Sequence, residues 1–353
     1  MSIRRNRPLR GAIVGFGNVA VEGHLPAFGS GRHFAIQAVC DPDEGRLARA
    51  AELLPEARRY AQLDELLEQE RLDFVDVAAP PTTHAAIVLA ALARKVHVLC
   101  EKPLAVGMDD LGRIRSAARA AGATVFTVHN WKYAPLFLTA KRALRRGDLG
   151  RVTRLSLETL RTAPPPAAAG STWRLDPALA GGGILVDHGW HAFYLALYLL
   201  EAEPVAVTAR MSQRKLTDGA AEDTAECAIE FPEATAEILL TWAADARQNR
   251  GRIEGEHGVL EIADRVLISR VADRPPVETA FAQPLSAGSY HPDWFATLLA
   301  DFRTELLEAG ARGANLREAE TTCRLVDLSY RSHAAGGVRL ALRDAAAPTA
   351  PGA

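Results

Sequence analysis

Residues 181–191 read GGGILVDHGWH, so a carboxylate and two imidazoles, Asp187, His188 and His191, fall within five positions behind three glycines. These types could bind a metal, run acid–base chemistry or cap the start of a helix. Histidine titrates near neutral pH, so His191 suits the transfer of a proton to or from an alcohol. Asp187 lies four residues before it, and in a helix the two would share a face and reach one substrate. Asp187 would then hydrogen-bond a substrate hydroxyl or orient the imidazole. A catalytic zinc site generally needs three protein ligands and an open position, which this cluster could only just supply.

Lys102 is the second reactive candidate, in EKP at 101–103. A lysine before proline at a strand end can be a plain solvated charge. Facing a ligand crevice, it can hydrogen-bond a reacting oxygen and stabilise developing alkoxide charge. A third motif, GFGNVA (Gly15, Phe16, Gly17, Asn18, Val19, Ala20), has the form GxGxxA directly after a strand. Its glycines permit a tight turn and close approach of a pyrophosphate, and the small last residue lets helix and strand pack. Asp41 ends the next strand, where a carboxylate can accept the hydroxyls of an adenosine ribose and would repel a 2′-phosphate. The pattern predicts NAD, with NADP less favoured and Arg46 nearby as the residue that could admit it.

The elements that must hold these groups alternate through residues 9–129. Strands are expected at 9–16, 34–40, 74–80, 95–101 and 124–129, and helices at 46–54, 84–94 and 108–122. Such alternation predicts α/β architecture with a doubly wound parallel sheet. A helix near 135–147 follows, then strands at 152–160, 205–211, 225–231 and 235–243, through GRIEGEHGVLEI (251–262), and at 265–269. Strand after strand with short turns predicts an α+β domain with an antiparallel sheet, closed by helices near 293–309 and 315–334. The domains expected are 1–129, 130–342 and a tail at 343–353.

The 353 residues carry a formal charge of -2, with 48% hydrophobic and 24% charged residues. This balance argues against nucleic acid or an anionic membrane as partner. Cys40, Cys100, Cys227 and Cys323 lie far apart without metal-ligand spacing, which fits a reducing compartment. No stretch of signal-peptide or membrane-spanning length occurs, and a cytoplasmic protein is expected. His97, between Val96 and Val98, reads as a surface residue without a role.

Together, Gly15, Gly17, Ala20, Asp41, EKP and GGGILVDHGWH resemble the Gfo/Idh/MocA oxidoreductases, the glucose–fructose oxidoreductase and inositol dehydrogenase group. HLPAF (24–28), PPTTHAAIVLAAL (80–92), HNWKYAP (129–135) and STWR (171–174) strengthen the likeness, which runs from about residue 9 to 342. The resemblance implies an N-terminal Rossmann domain and a C-terminal domain with a large open antiparallel sheet. It also implies hydride transfer between NAD(P) and a carbinol carbon of a sugar, cyclitol or related polyol, in a homodimer or homotetramer. Lys102, Asp187 and His191 match the family's catalytic positions, and a cis Lys102–Pro103 peptide is implied. Cofactor contacts are expected at Pro80, Thr82, His84, Glu101 and Lys102, besides the glycine loop, Asp41 and Arg46. Substrate contacts are expected at Lys102, Asn130, Lys132, Trp173, Arg174, Asp187 and His191. Position 188 is usually small or apolar in relatives, so no metal is expected. Tyr194 stands where many relatives carry an acid, and His188 and Trp190 are bulkier than usual. NAD-assisted glycoside hydrolysis and NAD(P)-sensing regulation, both known in relatives, are the alternative functions.

Overall fold

The computed structural model of the chain describes residues 7–164, 181–216 and 221–342. Trp173, Arg174 and the expected tail lie outside these. The described residues fall into two compact units, one of 7–134, 181 and 288–323, the other of 135–164, 182–216, 221–287 and 324–342. None of the helices described is long and apolar enough to cross a membrane.

In the first unit the strands are β1 (Leu9–Val14), β2 (Phe34–Cys40), β3 (Arg58–Tyr60), β4 (Phe74–Val77), β5 (His97–Cys100) and β6 (Val125–Thr127). They form one sheet in the order β3-β2-β1-β4-β5-β6, parallel throughout. Helices α1 (Leu25–Gly29), α2 (Glu44–Leu53), α3 (Leu63–Gln69), α4 (Pro81–Ala93) and α5 (Met108–Ala121) lie between them in the chain. All four residues of β4 and of β5 are buried, as expected where helices cover both faces of a parallel sheet. The strand order reverses between β1 and β4. Doubly wound folds bind ligands outside the carboxyl ends of the strands at that point.

Two elements of this unit escape the periodicity argument. β3 buries only Tyr60 of its three residues, so it has no apolar run to announce it, and α3 has seven residues. His97 also corrects its surface assignment. It is 8% exposed, its Nδ1 accepts the Thr124 N–H at 2.8 Å, and burial holds its pKa down at about 4.

The second unit is built on nine strands: β7 (Val152–Leu160), β8 (Ala206–Ser212), β9 (Thr224–Glu230), β10 (Thr235–Thr241), β11 (Gln248–Gly255), β12 (Gly258–Ala263), β13 (Val266–Val271), β14 (Val277–Ala280) and β15 (Leu340–Ala341). Their order is β14-β13-β12-β11-β7-β10-β9-β8-β15. The expected strand at 251–262 is a hairpin, β11 and β12 turning at Glu256 and His257 with Gly255 opposite Gly258. Every pairing is antiparallel except β7 with β10, which is parallel. The long connection between those two strands contains a helix, Trp190–Leu200, and the strands β8 and β9, so the chain can return in the same direction. On β7 the buried residues Leu155, Leu157 and Thr159 alternate, and on β10 Ala236, Ile238 and Leu240 do the same.

The outer edge of β6 is closed by a side chain. Asn315 accepts the Thr127 N–H at 2.6 Å and donates to the Thr127 carbonyl at 3.0 Å, as a further strand would. Glu305 in turn accepts the N–H groups of Asn315 and Gly313, each at 2.8 Å. Replacing Asn315 with Leu leaves both main-chain groups of Thr127 buried without a partner. A loss of about 1–3 kcal/mol is expected, read as a lower urea midpoint at unchanged slope.

Candidate active site

The first β–α turn has the shape a dinucleotide needs. Gly15 sits at φ +90°, and a Cβ there would lie 2.6 Å from the Ala79 nitrogen, so only glycine fits. A Cβ on Gly17 would meet nothing within 4 Å, which leaves open the space that a pyrophosphate would take. Phe16 and Ala20 point into a core with Ile13, Val39, Ala50 and Ala57. The exposed Asn18 accepts from the Arg49 guanidinium at 3.5 Å, and Val19 begins a π-helical turn, Val19–His24. Asp41 is buried at the end of β2. It accepts the N–H groups of Phe16 at 2.7 Å and Asp43 at 3.0 Å, with Arg46 Nη1 at 3.4 Å. A carboxylate has about four lone-pair positions, so Asp41 holds the glycine loop and keeps acceptor capacity for a ribose. These residues fit NAD.

Lys102 follows β5, and its peptide bond to Pro103 is cis. The turn is held from behind by charge. Glu101 accepts the Lys102 N–H at 3.0 Å, and its other oxygen meets His24 Nε2 at 3.1 Å. His24 Nδ1 meets Asp76, in the middle of β4, at 2.8 Å. The imidazole is 1% exposed and stacks on Phe295 at 4.0 Å. Burial alone would lower its pKa, but Asp76 and Glu101 outweigh burial and lift it to about 9. Burial also acts on both carboxylates. Asp76 stays above the ordinary aspartate range, whereas His24 and Lys102 draw Glu101 below the glutamate range. At neutral pH His24 is therefore an imidazolium, set between Glu101 and an Asp76 whose acidity burial weakens.

His84 is fully buried, and its nitrogens face the carbonyls of Pro103 and Ala79, each at 2.8 Å. Burial pulls its pKa down against those two acceptors. It braces the same turn from the other side. Pro80 precedes α4 and accepts the Thr83 hydroxyl at 2.7 Å, and Thr82 is exposed in the helix's first turn. Lys132 Nζ lies 2.7 Å from Glu318, which also takes His129 Nδ1 at 2.5 Å. Burial would raise the Glu318 pKa, but the Lys132 ammonium and the hydrogen bond with His129 bring it down to about 2. Asn130 is 8% exposed, and its Oδ1 is buried without a hydrogen-bond partner.

In the second unit a carboxylate again anchors the reactive turn. Glu222 accepts the N–H groups of Gly183 and Leu185 at 3.0 Å and the Tyr330 hydroxyl at 2.8 Å. A Cβ on Gly182 would lie 2.0 Å from the Tyr330 hydroxyl, and one on Gly183 would lie 2.1 Å from the Glu222 carbonyl. Side chains at Gly182 and Gly183 would keep this clamp from closing. The next residues, Leu185–Gly189, form a π-helical turn that runs into the helix Trp190–Leu200. Asp187 lies 3.6 Å from His188 Nε2. His191 is 8% exposed, and its Nδ1 is 2.7 Å from the Tyr194 hydroxyl. Tyr194 and Trp190 are core residues.

Lys102 and the glycine loop thus belong to the first unit, and Asp187, His188 and His191 to the second. Sequence reasoning missed the groups that hold them: His24, Asp76, Glu222, Tyr330 and the service of Tyr194 to His191. Asp76 did leave a signal, since a carboxylate inside the apolar run FVDV must find a partner.

A doubly wound sheet with this glycine turn, a strand-end acid and a strapped lysine defines an NAD-binding oxidoreductase. Residues 9–129 match the model described as "Oxidoreductase family, NAD-binding Rossmann fold", and residues 137–261 match the GFO/IDH/MocA C-terminal domain. The chain belongs to the GFO/IDH/MocA oxidoreductase family. Its relatives include myo-inositol 2-dehydrogenase of Thermotoga maritima, 32% identical over 48% of each chain. Another is D-xylose 1-dehydrogenase (NADP(+)) 2 of Haloferax volcanii, 29% identical over 63% of this chain and 70% of that one. The match to the first spans about half of that relative's length. Among solved structures, levoglucosan dehydrogenase in complex with NADH and levoglucosan has the same fold, with a TM-score of 0.84 at 20% identity, over 95% of this chain and 100% of that one.

The His24 arrangement makes a measurable prediction. Truncation to Ala strands two buried carboxylates and costs about 3–5 kcal/mol at neutral pH. His24 is raised in the folded state, so its contribution is complete below the unfolded pKa of about 6.5 and fades as pH climbs through about 9. The stability gap between wild type and His24→Ala should therefore narrow on the alkaline side. Nitrogen NMR at pH 7 should find both ring nitrogens of His24 protonated; a neutral ring would refute the assignment.

Proposed function

We propose that the chain is an NAD-dependent dehydrogenase that moves a hydride between NAD and a carbinol carbon of a sugar, cyclitol or related polyol. The observation that carries this reading is His191, a buried imidazole whose Nδ1 is engaged by the Tyr194 hydroxyl. When Nδ1–H donates to the phenol oxygen, the ring is fixed in the tautomer whose Nε2 can accept the hydroxyl proton. His191 is then the base for oxidation and the acid for reduction. Lys102 donates to the substrate oxygen and steadies the developing alkoxide, from a turn that Glu101 and His84 hold in place. Asp187 accepts a substrate hydroxyl. NAD, when bound, supplies the hydride acceptor; the glycine loop and Asp41 would hold it.

The polyol class draws on family membership and on relatives named for inositol and xylose. The preference for NAD draws on Asp41, although Arg46 lies beside it and the xylose relative is named for NADP(+). The four cysteines are buried and none is in a disulfide, which supports a cytoplasmic location; a homodimer or homotetramer draws on family membership alone.

Absorbance at the NADH band, with a panel of sugars and inositols, tests the reaction. NADH should accumulate in step with product, whereas a cofactor that is oxidised again each cycle would indicate glycoside cleavage instead. His191→Ala should lose about 10²–10⁴-fold in kcat with NAD affinity retained, and near-normal turnover would remove His191 from its role. Tyr194→Phe, which frees the ring's orientation, should cost about tenfold. NAD should be preferred to NADP by about tenfold or more in kcat/KM, as the strand-end acid requires.

A further inference from the structure

Three hydrogen-bond donors on one face of the second unit's sheet have no acceptor among the described residues. Arg161 follows β7 and is 2% exposed. Its Nη1 donates to the carbonyls of Leu160 at 2.8 Å and Gln248 at 3.2 Å, and its Nη2 to Asn249 Oδ1 at 3.3 Å. Its Nε is buried without a partner, as are Asn249 Nδ2 and Trp242 Nε1. Asn249 and Trp242 are 3% and 1% exposed.

The three sit side by side. Arg161 donates its N–H to the Thr241 carbonyl and accepts from the Ala244 N–H, which brackets Trp242, and Asn249 pairs with Thr159 across β7 and β11. By strand alternation Trp242 shares the face of Ile238 and Leu240, and Arg161 and Asn249 share that of Leu157 and Thr159. This is the face toward Gly189, since a Cβ there would approach Leu240 Cδ1 at 3.2 Å. Gly189 lies between Asp187 and His191 in sequence. The donors therefore look toward the segment that carries the proposed acid–base pair.

The charge is also incomplete. Among the described residues no carboxylate lies within ion-pair distance of Arg161. Asp264, whose field reaches it, is occupied by the N–H groups of Asn249 and Ser286 and by the Ser286 hydroxyl. Burial, with Arg247 close by, lowers the Arg161 pKa to about 10 despite Asp187 and Asp264. A buried guanidinium without a close counter-ion is costly, and the unsatisfied groups, a guanidine N–H, an amide NH2 and an indole N–H, offer hydrogens only.

Resting on the dehydrogenase reading above for the identity of the ligand as substrate, we infer that Arg161, Asn249 and Trp242 form a subsite for a carboxylate, so that the substrate is a sugar acid. One negative charge fits better than two. Arg161 is the one charged group of the three donors, so a single carboxylate matches it and a phosphate dianion would bring an excess. The carboxylate accepts from Arg161 Nε, Asn249 Nδ2 and Trp242 Nε1, and so sets which hydroxyl faces His191.

The test uses NADH-loaded full-length protein titrated with D-glucuronate, D-galacturonate, D-glucose, D-galactose, glucose 6-phosphate and acetate, followed by calorimetry and by tryptophan fluorescence. At least one uronate should bind tenfold or more tightly than its neutral sugar and than acetate. Asn249→Asp keeps the acceptor for Arg161 and replaces a donor with a negative charge; it should weaken uronate binding at least tenfold while NADH affinity holds. Arg161→Met should do the same, and Asn249→Asp carries the test if the Met variant does not fold. Uronates that bind no better than neutral sugars, a preference for the sugar phosphate, or full uronate affinity in folded Asn249→Asp would each overturn the inference. NAD reduction by neutral sugars alone would sink the acid subsite and leave the dehydrogenase reading standing. Uronate binding without NAD reduction by any of the compounds would do the reverse.

Discussion

The candidate site depends on one interaction used three times: a carboxylate accepting main-chain N–H groups from the turn that carries the glycine loop or a proposed reactive residue. Asp41 takes Phe16 N–H and so holds the glycine loop. Glu101 takes Lys102 N–H, and Glu222 takes those of Gly183 and Leu185. Turns are where a chain has most freedom, and the free amides there would otherwise be left to water. A charged acceptor makes these bonds roughly twice as strong as neutral ones. It also fixes the direction of the peptide plane, which decides where the next side chain points.

Such a clamp brings its own problem, because a carboxylate withdrawn from water must be neutralised or satisfied. The protein answers differently at each site. Asp41 keeps an arginine within 3.4 Å. Glu222 receives a phenol, and burial together with the carboxylate drives the Tyr330 hydroxyl far above its ordinary pKa, so it stays a donor. Glu101 shares an imidazolium with Asp76. That last solution stacks charge in the most buried part of the first unit. Removing any one member leaves the others uncompensated, so the trio is held as a unit. The turn before Pro103 inherits that rigidity, with the His84 bridge completing it from the opposite side.

Much of the fold was legible because the pattern had long runs to work with. The buried strands β1, β2, β4 and β5 are apolar runs, and α4 is apolar along its length. The candidate residues Lys102, Asp187 and His191 were picked from chemistry, spacing and family likeness, and their roles are proposals. The parts that were missed share a physical reason. β3 is an edge strand of three residues, two of them exposed arginines, and β15 is two residues long. His97 looked like a surface residue because a histidine between two valines suggests alternation, yet β5 is buried on both faces. The supporting groups were harder still. Glu222 is 39 residues from the Gly183 N–H it receives, and Tyr330 is 108 from Glu222. No local rule links positions so far apart, and only the closed sheet brings them together.

Tyr194 shows why a departure from a family pattern has to be judged by its contacts. An acid at that position would place a negative charge near the imidazole. The phenol places none, and its hydroxyl, buried in the core, can either donate or accept. It therefore orients the His191 ring without adding charge on that side. Asp187, 3.6 Å from His188, is then the nearby formal negative charge on that segment, within reach of Arg161 through its field. With Asp264 already committed to Asn249 and Ser286, the guanidinium has no close anion among the described residues. The absence of an acid at 194 and the presence of an arginine at 161 act in the same direction, both leaving that face of the sheet short of negative charge. A neutral polyol would leave that shortage in place. A ligand that brings its own carboxylate would remove it, and in doing so would fix its register against the imidazole proposed as the base.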